Sequence, residues 1–173
     1  EKIGYARPVV LDSNGAWEAV LENAYDIIVT GEINGEDTLS FKIPYRDGKR
    51  GYIDSEKKIQ IVDDVYKVRT VTDTRDTDGS AVTEVYAEAE FYDLTFSVRK
   101  EERTFEAEYP ETAMAYALEG TEWSVGTVTV RTQRTWTSTE KNALSILRNV
   151  ANLHGGDLVF DCPNRLVHLL TVN

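Results

Sequence analysis

Cysteine is nearly missing: Cys162 is the only one in 173 residues, so no internal disulfide can form and an oxidised, stapled secreted framework is excluded. A reducing cytoplasm fits that usage, and a chain of this length can bury a core without covalent help. Basic charge is also short. With 30 acidic against 19 basic side chains the formal charge is −11, which repels phosphate backbones and anionic membranes, and the basic residues are scattered rather than gathered in a patch. No nucleic-acid partner is expected. Long apolar runs are absent, as is a basic-then-apolar amino end, so neither a bilayer-inserted segment nor a signal peptide is expected. The chain starts at Glu1 without an initiator Met and stops at Val172-Asn173 directly after a strand-like run, as a piece of a longer protein would.

What is present is a self-consistent meander between Lys58 and Tyr92. Taking Asp63-Asp64 as a two-residue loop sets Ile61 opposite Tyr66, Ile59 opposite Val68 and Gln60 opposite Lys67, which makes one face apolar. A four-residue loop keeps the same facing. Asp78-Gly79 suits the positive φ angles of a type I′ turn; as the next loop it sets Val68 opposite Ala89 and Tyr66 opposite Phe91. Both turns select the same core face. On the other face Lys67 then meets Glu90, and Arg69 meets Glu88, as favourable cross-strand charge pairs.

The rest of the first half is also short strands. Tyr25 to Thr30 and Leu39 to Ile43 flank the turn Asn34-Gly35, and a two- or four-residue loop places Ile28 on the buried face with Leu39, Phe41 and Ile43. Lys2 to Leu21 is expected to give one edge strand, with Pro8 at its edge or start, followed by the turn Asp12-Ser13-Asn14-Gly15. Asp47 to Gly51 reads as a loop. About six strands without helical period predict a small antiparallel barrel or sandwich over residues 1–98. The composition turns charged from Arg99 to Arg103, and residues 99–173 read as a separate α+β domain. There Pro110 to Glu119 is a helix stopped by Gly120, and strands follow around Trp123 to Val130 and Arg131 to Trp136. Thr137 and Glu140 form a capping box for a second helix, with Ala143, Leu147, Val150 and Ala151 on one face and Ile146 and Leu153 beside it. Gly155-Gly156 ends it, before a hairpin from Asp157 to Leu170 about Cys162-Pro163-Asn164. The fold class is thus α+β, mainly antiparallel β.

Each reactive side chain has a plain structural reading. His154 precedes the glycine pair and reads as a partner of the last helix carbonyls. His168 lies on a strand whose other face carries Val167 and Leu169, so it is expected exposed or at an edge. Cys162 in a hairpin turn lacks the electropositive setting of a nucleophile, so a Cys162–His168 pair is not favoured. One Cys and two His are too few for structural zinc. Glu84, Glu88 and Glu90 resemble a glycosidase pair only in spacing, because two of them face basic partners. Asp73, Asp76 and Asp78 have calcium-like spacing, against which Arg75 stands. No glycine-rich phosphate loop follows a strand. Trp17, Trp123 and Trp136 are expected in the core or at subunit contacts. No catalytic residue, cofactor or metal is therefore assigned.

The order of the runs carries a resemblance. Ala24-Tyr25-Asp26-Ile27-Ile28-Val29-Thr30 through Asn34-Gly35 to Leu39-Ser40-Phe41-Lys42-Ile43-Pro44, then Lys58 to Arg69, then Ala87 to Leu94, resembles the amino-terminal region of phage tail-tip proteins. These form the prophage tail endopeptidase or tail-associated lysin family, also called phage minor structural proteins. Asn142 to Leu147 and Gly155-Gly156-Asp157-Leu158-Val159-Phe160-Asp161 look like the same family's helix and following strand. The resemblance implies a baseplate-hub-like protein: a small β-barrel plus an α+β domain, three copies of which close a ring at the tail end. Such a ring joins the distal tail protein and the tape-measure or tail-tube end to a carboxy-terminal fibre or lysin part. It also implies a virion tail tip as location, after synthesis in the bacterial host cytoplasm, and a barrel that takes a closing segment from later in the sequence. The expected function is structural and non-enzymatic, a cell-wall peptidase or hydrolase domain and a carbohydrate-binding β-barrel being the alternatives.

Overall fold

The computed structural model describes residues 6–32 and 34–172, and contacts divide the chain into two units. The first runs to Glu90 and leaves out residues 33–35, which group with the second unit together with everything from Phe91 onward.

Unit 1 is one seven-stranded sheet curled into a half-barrel. Its strands are β1 (Val9–Leu11), β2 (Trp17–Val20), β3 (Tyr25–Gly31), β4 (Asp37–Pro44), β5 (Lys58–Ile61), β6 (Asp64–Arg75) and β7 (Ala81–Ala89), in the order β2-β1-β5-β6-β7-β4-β3, with every pairing antiparallel. The region expected to give one edge strand forms two, and it is β2, not the strand after Pro8, that lies at the edge. The turn between them is as read: Asp12 Oδ1 accepts from Asn14 N–H at 2.8 Å and Ala16 N–H at 2.9 Å, and Gly15 takes φ +81°. Residues 2–5 of the expected strand lie outside the described residues. A short 3₁₀ turn, Arg50–Tyr52, follows the loop at Asp47.

The meander has the expected inner face with a different register. Ile59, Ile61, Tyr66 and Val68 are all buried, together with Ala87 and Ala89. The first loop is Val62-Asp63, so Ile59 faces Tyr66 and Ile61 faces Asp64; two residues of slip preserve the facing. The second loop has three residues, Thr77-Asp78-Gly79, with Gly79 at φ +84° and Asp76 N–H donating to Ser80 O at 2.8 Å. An odd loop inverts the parity, and a bulge at Arg69, between paired Val68 and Thr70, inverts it back. Tyr66 consequently faces Ala89. Phe91 is not in the sheet, because β7 ends at Ala89 and the chain turns into a 3₁₀ segment, Glu90–Thr95. Of the two charge pairs, Arg69 reaches Glu88 at 3.2 Å as expected, whereas Lys67 lies 2.9 Å from Glu56, and Glu90 is paired with Lys58 at 2.5 Å.

In the β3–β4 hairpin, Leu39, Phe41 and Ile43 are buried, but Ile28 is not. Glu32 N–H donates to Glu36 O at 2.7 Å, leaving an odd number of residues in the loop. Val29 therefore takes the inner place opposite Leu39, and Ile28 lies on the outer face opposite Ser40. The buried hydroxyl of Tyr66 is bonded to Asp37, whose carboxyl burial pushes above its ordinary range.

Unit 2 contains β8 (Arg103–Glu108), α1 (Pro110–Leu118), β9 (Ser124–Val128), β10 (Arg134–Ser138), α2 (Ala143–His154), β11 (Asp157–Asp161) and β12 (Leu166–Leu170). β8 pairs with β10, and β11-β12-β9 form a second sheet in which β9 runs parallel to β12, the parallel pair being linked by a crossover that includes α2. The two helices pack on each other, and Ala113, Met114 and Ala117 of α1 and Ile146, Leu147 and Val150 of α2 are all buried. Each large apolar side chain so buried stabilises by about 1.5–3 kcal/mol. Pro110 opens α1 and Gly120, at φ +80°, follows its end.

The second helix does not use the expected capping box. Thr137 is a strand residue, its hydroxyl 2.8 Å from that of Thr104 across the ladder, and Asn142 is the cap, accepting from Ser145 N–H at 2.8 Å. Leu153, expected beside the apolar face, is exposed.

Candidate interaction surface

A concavity with a volume of about 840 Å³ lies on the outer face of the sheet in unit 1, over β3, β4, β7 and β6. Pairing places its lining in two rows. Ile28, Ser40, Tyr86 and Thr70 stand side by side across the four strands, and Lys42, Glu84 and Thr72 form the next row. The first row is unusual for an outer face because Ile28 is 60% exposed and Tyr86 is 38% exposed.

The second row is organised by Lys42. Its Nζ lies 3.3 Å from Asp76, 3.5 Å from Asp26 and 4.0 Å from Glu84, so three carboxylates surround one ammonium. The Tyr25 hydroxyl donates to Asp76 Oδ2 at 2.8 Å. Burial, then that carboxylate, pushes the Tyr25 phenol up to about 12. In turn the phenol, with the Thr77 N–H and Lys42, holds Asp76 below the usual carboxylate range, while Asp76 raises Lys42. Asp26 reaches this row because the chain bulges between Tyr25 and Ile28, with Asp26 at φ +49°. The arrangement pairs charge and leaves a negative excess.

The residues singled out by sequence are dispersed. Asp73 grips Arg50 and accepts from the Thr83 hydroxyl at 2.8 Å, Asp76 serves Tyr25 and Lys42, and Asp78 serves Ser80, so the three carboxylates do not converge on a common point. Among the described residues no group of three or more His, Cys, Asp or Glu side chains is arranged to hold a metal ion. Glu84 and Glu88 sit on β7, whereas Glu90 lies beyond its end and is buried.

His154 does not cap its own helix. It is buried, its Nδ1–H donates to Thr132 O at 2.9 Å, and the Thr132 hydroxyl donates back to His154 O at 2.9 Å. The segment passing the helix end supplies the caps, Arg134 Nε donating to Leu153 O at 3.0 Å. His168 is neither exposed nor on an edge, since β12 is the central strand and the ring accepts from Thr127 N–H at 2.7 Å through Nδ1. Trp123 is buried edge-on to Phe160, Trp136 packs on Phe105, and Trp17 is 68% exposed on β2, away from the trough.

Two family models match the chain in tandem. Residues 8–89 match the prophage endopeptidase tail N-terminal domain, and residues 97–169 match the prophage endopeptidase tail domain. The chain belongs to the prophage tail proteins. Solved tail proteins share the fold. A prophage tail protein from Listeria monocytogenes EGD-e aligns with TM-score 0.74 at 13% identity, covering 95% of this chain and 50% of that one. A tail protein from Neisseria meningitidis MC58 gives 0.61 at 12%, covering 95% and 50%, and the 43 kDa tail protein of prophage MuSo2 from Shewanella oneidensis gives 0.63 at 12%, covering 98% and 57%. This tail protein chain thus spans about half the length of the solved relatives it matches. None of the curated proteins compared with it matches. The matched regions are structural domains of the tail, whatever chemistry the word endopeptidase in their description denotes. No helix among the described residues is long and apolar enough to cross a membrane.

The sequence alone hides the outer row, because an even loop in the β3–β4 hairpin would place Ile28 inside. The available signal was Tyr86, an aromatic between Glu84 and Glu88 on a strand whose inner face is already supplied by Val85, Ala87 and Ala89.

Proposed function

We propose that this phage tail component works as a hub module at the tail tip, associating with two further copies in a ring and joining the tail-tube side to host-facing parts. The observation that carries the reading is the tandem match to two tail domains over nearly the whole chain. An open sheet whose two edges, β2 and β3, each have a single neighbour among the described residues supports it, because such edges are ready templates for intermolecular pairing. The partners of the reading are a second and third copy, the distal tail protein, the tape-measure or tail-tube end, and a carboxy-terminal fibre or lysin part. Its work is assembly, not catalysis. Gold-labelled antibody against this chain, applied to intact phage tails and imaged by electron microscopy, tests it. Label confined to the tip opposite the capsid supports the reading, and label distributed along the tube overturns it.

A further inference from the structure

We propose that the outer trough of the seven-stranded sheet is a docking site for a short segment of a partner protein that presents Lys or Arg next to an apolar side chain. The inference stands on the sheet alone and does not require a ring.

An outer strand face in water is normally filled by residues such as Ser40, Thr70, Thr72 and Glu84. Here the odd loop of the β3–β4 hairpin turns Ile28 outward instead, and the register puts it in one row with Tyr86. The two are separated by Ser40, a small side chain that leaves the space between them open. Beside this apolar strip the charge is unbalanced. Lys42 is one cation among Asp26, Asp76 and Glu84; Asp76 is already bonded to Tyr25 and Lys42, while the Asp26 and Glu84 side chains are 62% and 50% exposed. These two carboxylates can accept a second ammonium or guanidinium. An anionic partner meets repulsion here, and a purely apolar one leaves the carboxylates to be desolvated without compensation. Only a segment combining a cation with an apolar group matches both rows.

Amide NMR of the chain titrated with a heptapeptide of alternating Lys and Val tests the site, with an all-Lys heptapeptide and one of alternating Glu and Val as comparisons. Shifts confined to residues 26–28, 40–42 and 84–86 are expected for the Lys/Val peptide. Asp26→Asn with Glu84→Gln should weaken that binding on the order of tenfold at low salt, and Ile28→Ser should weaken it several-fold while leaving the salt dependence intact. Asn tolerates the positive φ at position 26, and Ile28 is exposed, so the variants should keep the parent's amide spectrum elsewhere. The proposal is overturned if the Lys/Val peptide leaves these amides unmoved, if the Glu/Val peptide binds as well, or if the all-Lys peptide binds equally and Ile28→Ser changes nothing.

Discussion

The imidazole of His168 fills the space that a side chain at Gly126 would need: a Cβ there would lie 2.5 Å from both Cε1 and Nδ1 of the ring. The same ring accepts the Thr127 N–H where the parallel β9–β12 ladder shifts register, so one side chain both occupies a gap and replaces a ladder acceptor. Gly126→Ala should therefore destabilise unit 2. Overpacking costs about 1–3 kcal/mol, which exceeds the 0.4–1 kcal/mol or so that Ala gains over Gly through the unfolded chain. In urea titrations the double variant with His168→Ala should lose less than the sum of the two single losses. Additive losses would show that the two positions do not share the space.

Arg50 and Asp73 tie the 3₁₀ turn to the outer part of β6, and Thr83, fully buried on β7, donates to the same carboxylate. Arg50, then Thr83, holds the Asp73 carboxyl below its ordinary range. A carboxyl depressed in the folded state contributes stability that is present above its unfolded value and lost as pH falls through the folded one. Acidification from about pH 5 to pH 2 should thus weaken the parent through this group. Asp37 works in the opposite sense: burial raises it, so its contribution is present at low pH and lost as pH rises through its folded value. Asp73→Asn should flatten the acid side of a plot of urea midpoint against pH. An unchanged slope there would show that the pair carries no pH-linked stability.

Asn142, not Thr137, begins the second helix. Asn142→Ala should cost about 1 kcal/mol of stability, read by chemical denaturation, whereas Glu140→Ala should leave the midpoint close to that of the parent. The reverse order would restore the capping box read from Thr137 and Glu140.

That misplaced cap illustrates which parts of the fold are legible in the residues. Ile59, Ile61, Tyr66 and Val68 announce their shared face because side-chain direction in a strand has a period of two, and any even error in a loop leaves it intact. Ile28 was misread because parity depends on an odd or even loop, and Asn34-Gly35 does not by itself distinguish the two. The bulge at Arg69 left no local signature either; it follows from fitting a three-residue Gly79 loop to a core that demands Tyr66 and Val68 inside. β8 was missed because Arg103-Thr104-Phe105-Glu106-Ala107-Glu108 carries a single buried side chain, Phe105, among charges. The histidines were misread for a further reason: both take their hydrogen bonds from segments distant in sequence, Thr132 and Thr127, which local spacing cannot reveal.

Lys100 is buried, donating from Nζ to the carbonyl of Glu119 at 2.7 Å after α1 and lying 5.0 Å over the Tyr116 ring. Burial lowers its pKa. The folded chain therefore binds fewer protons than the unfolded one between the two values, and stability should rise with pH across that interval. Lys100→Ala should lose about 1–3 kcal/mol at neutral pH, because the Glu119 carbonyl loses its donor, and should lose the alkaline rise with it. Equal alkaline behaviour in parent and variant would assign that rise to another group.

The most direct test of an assembly role is the solution mass of the full-length tail protein that carries this chain, measured by light scattering, with the same sample assayed on cell-wall peptide. A trimer that forms rings on a microscope grid and leaves the peptide intact is the predicted result. A persistent monomer that hydrolyses the peptide through residues of this chain would contradict the account.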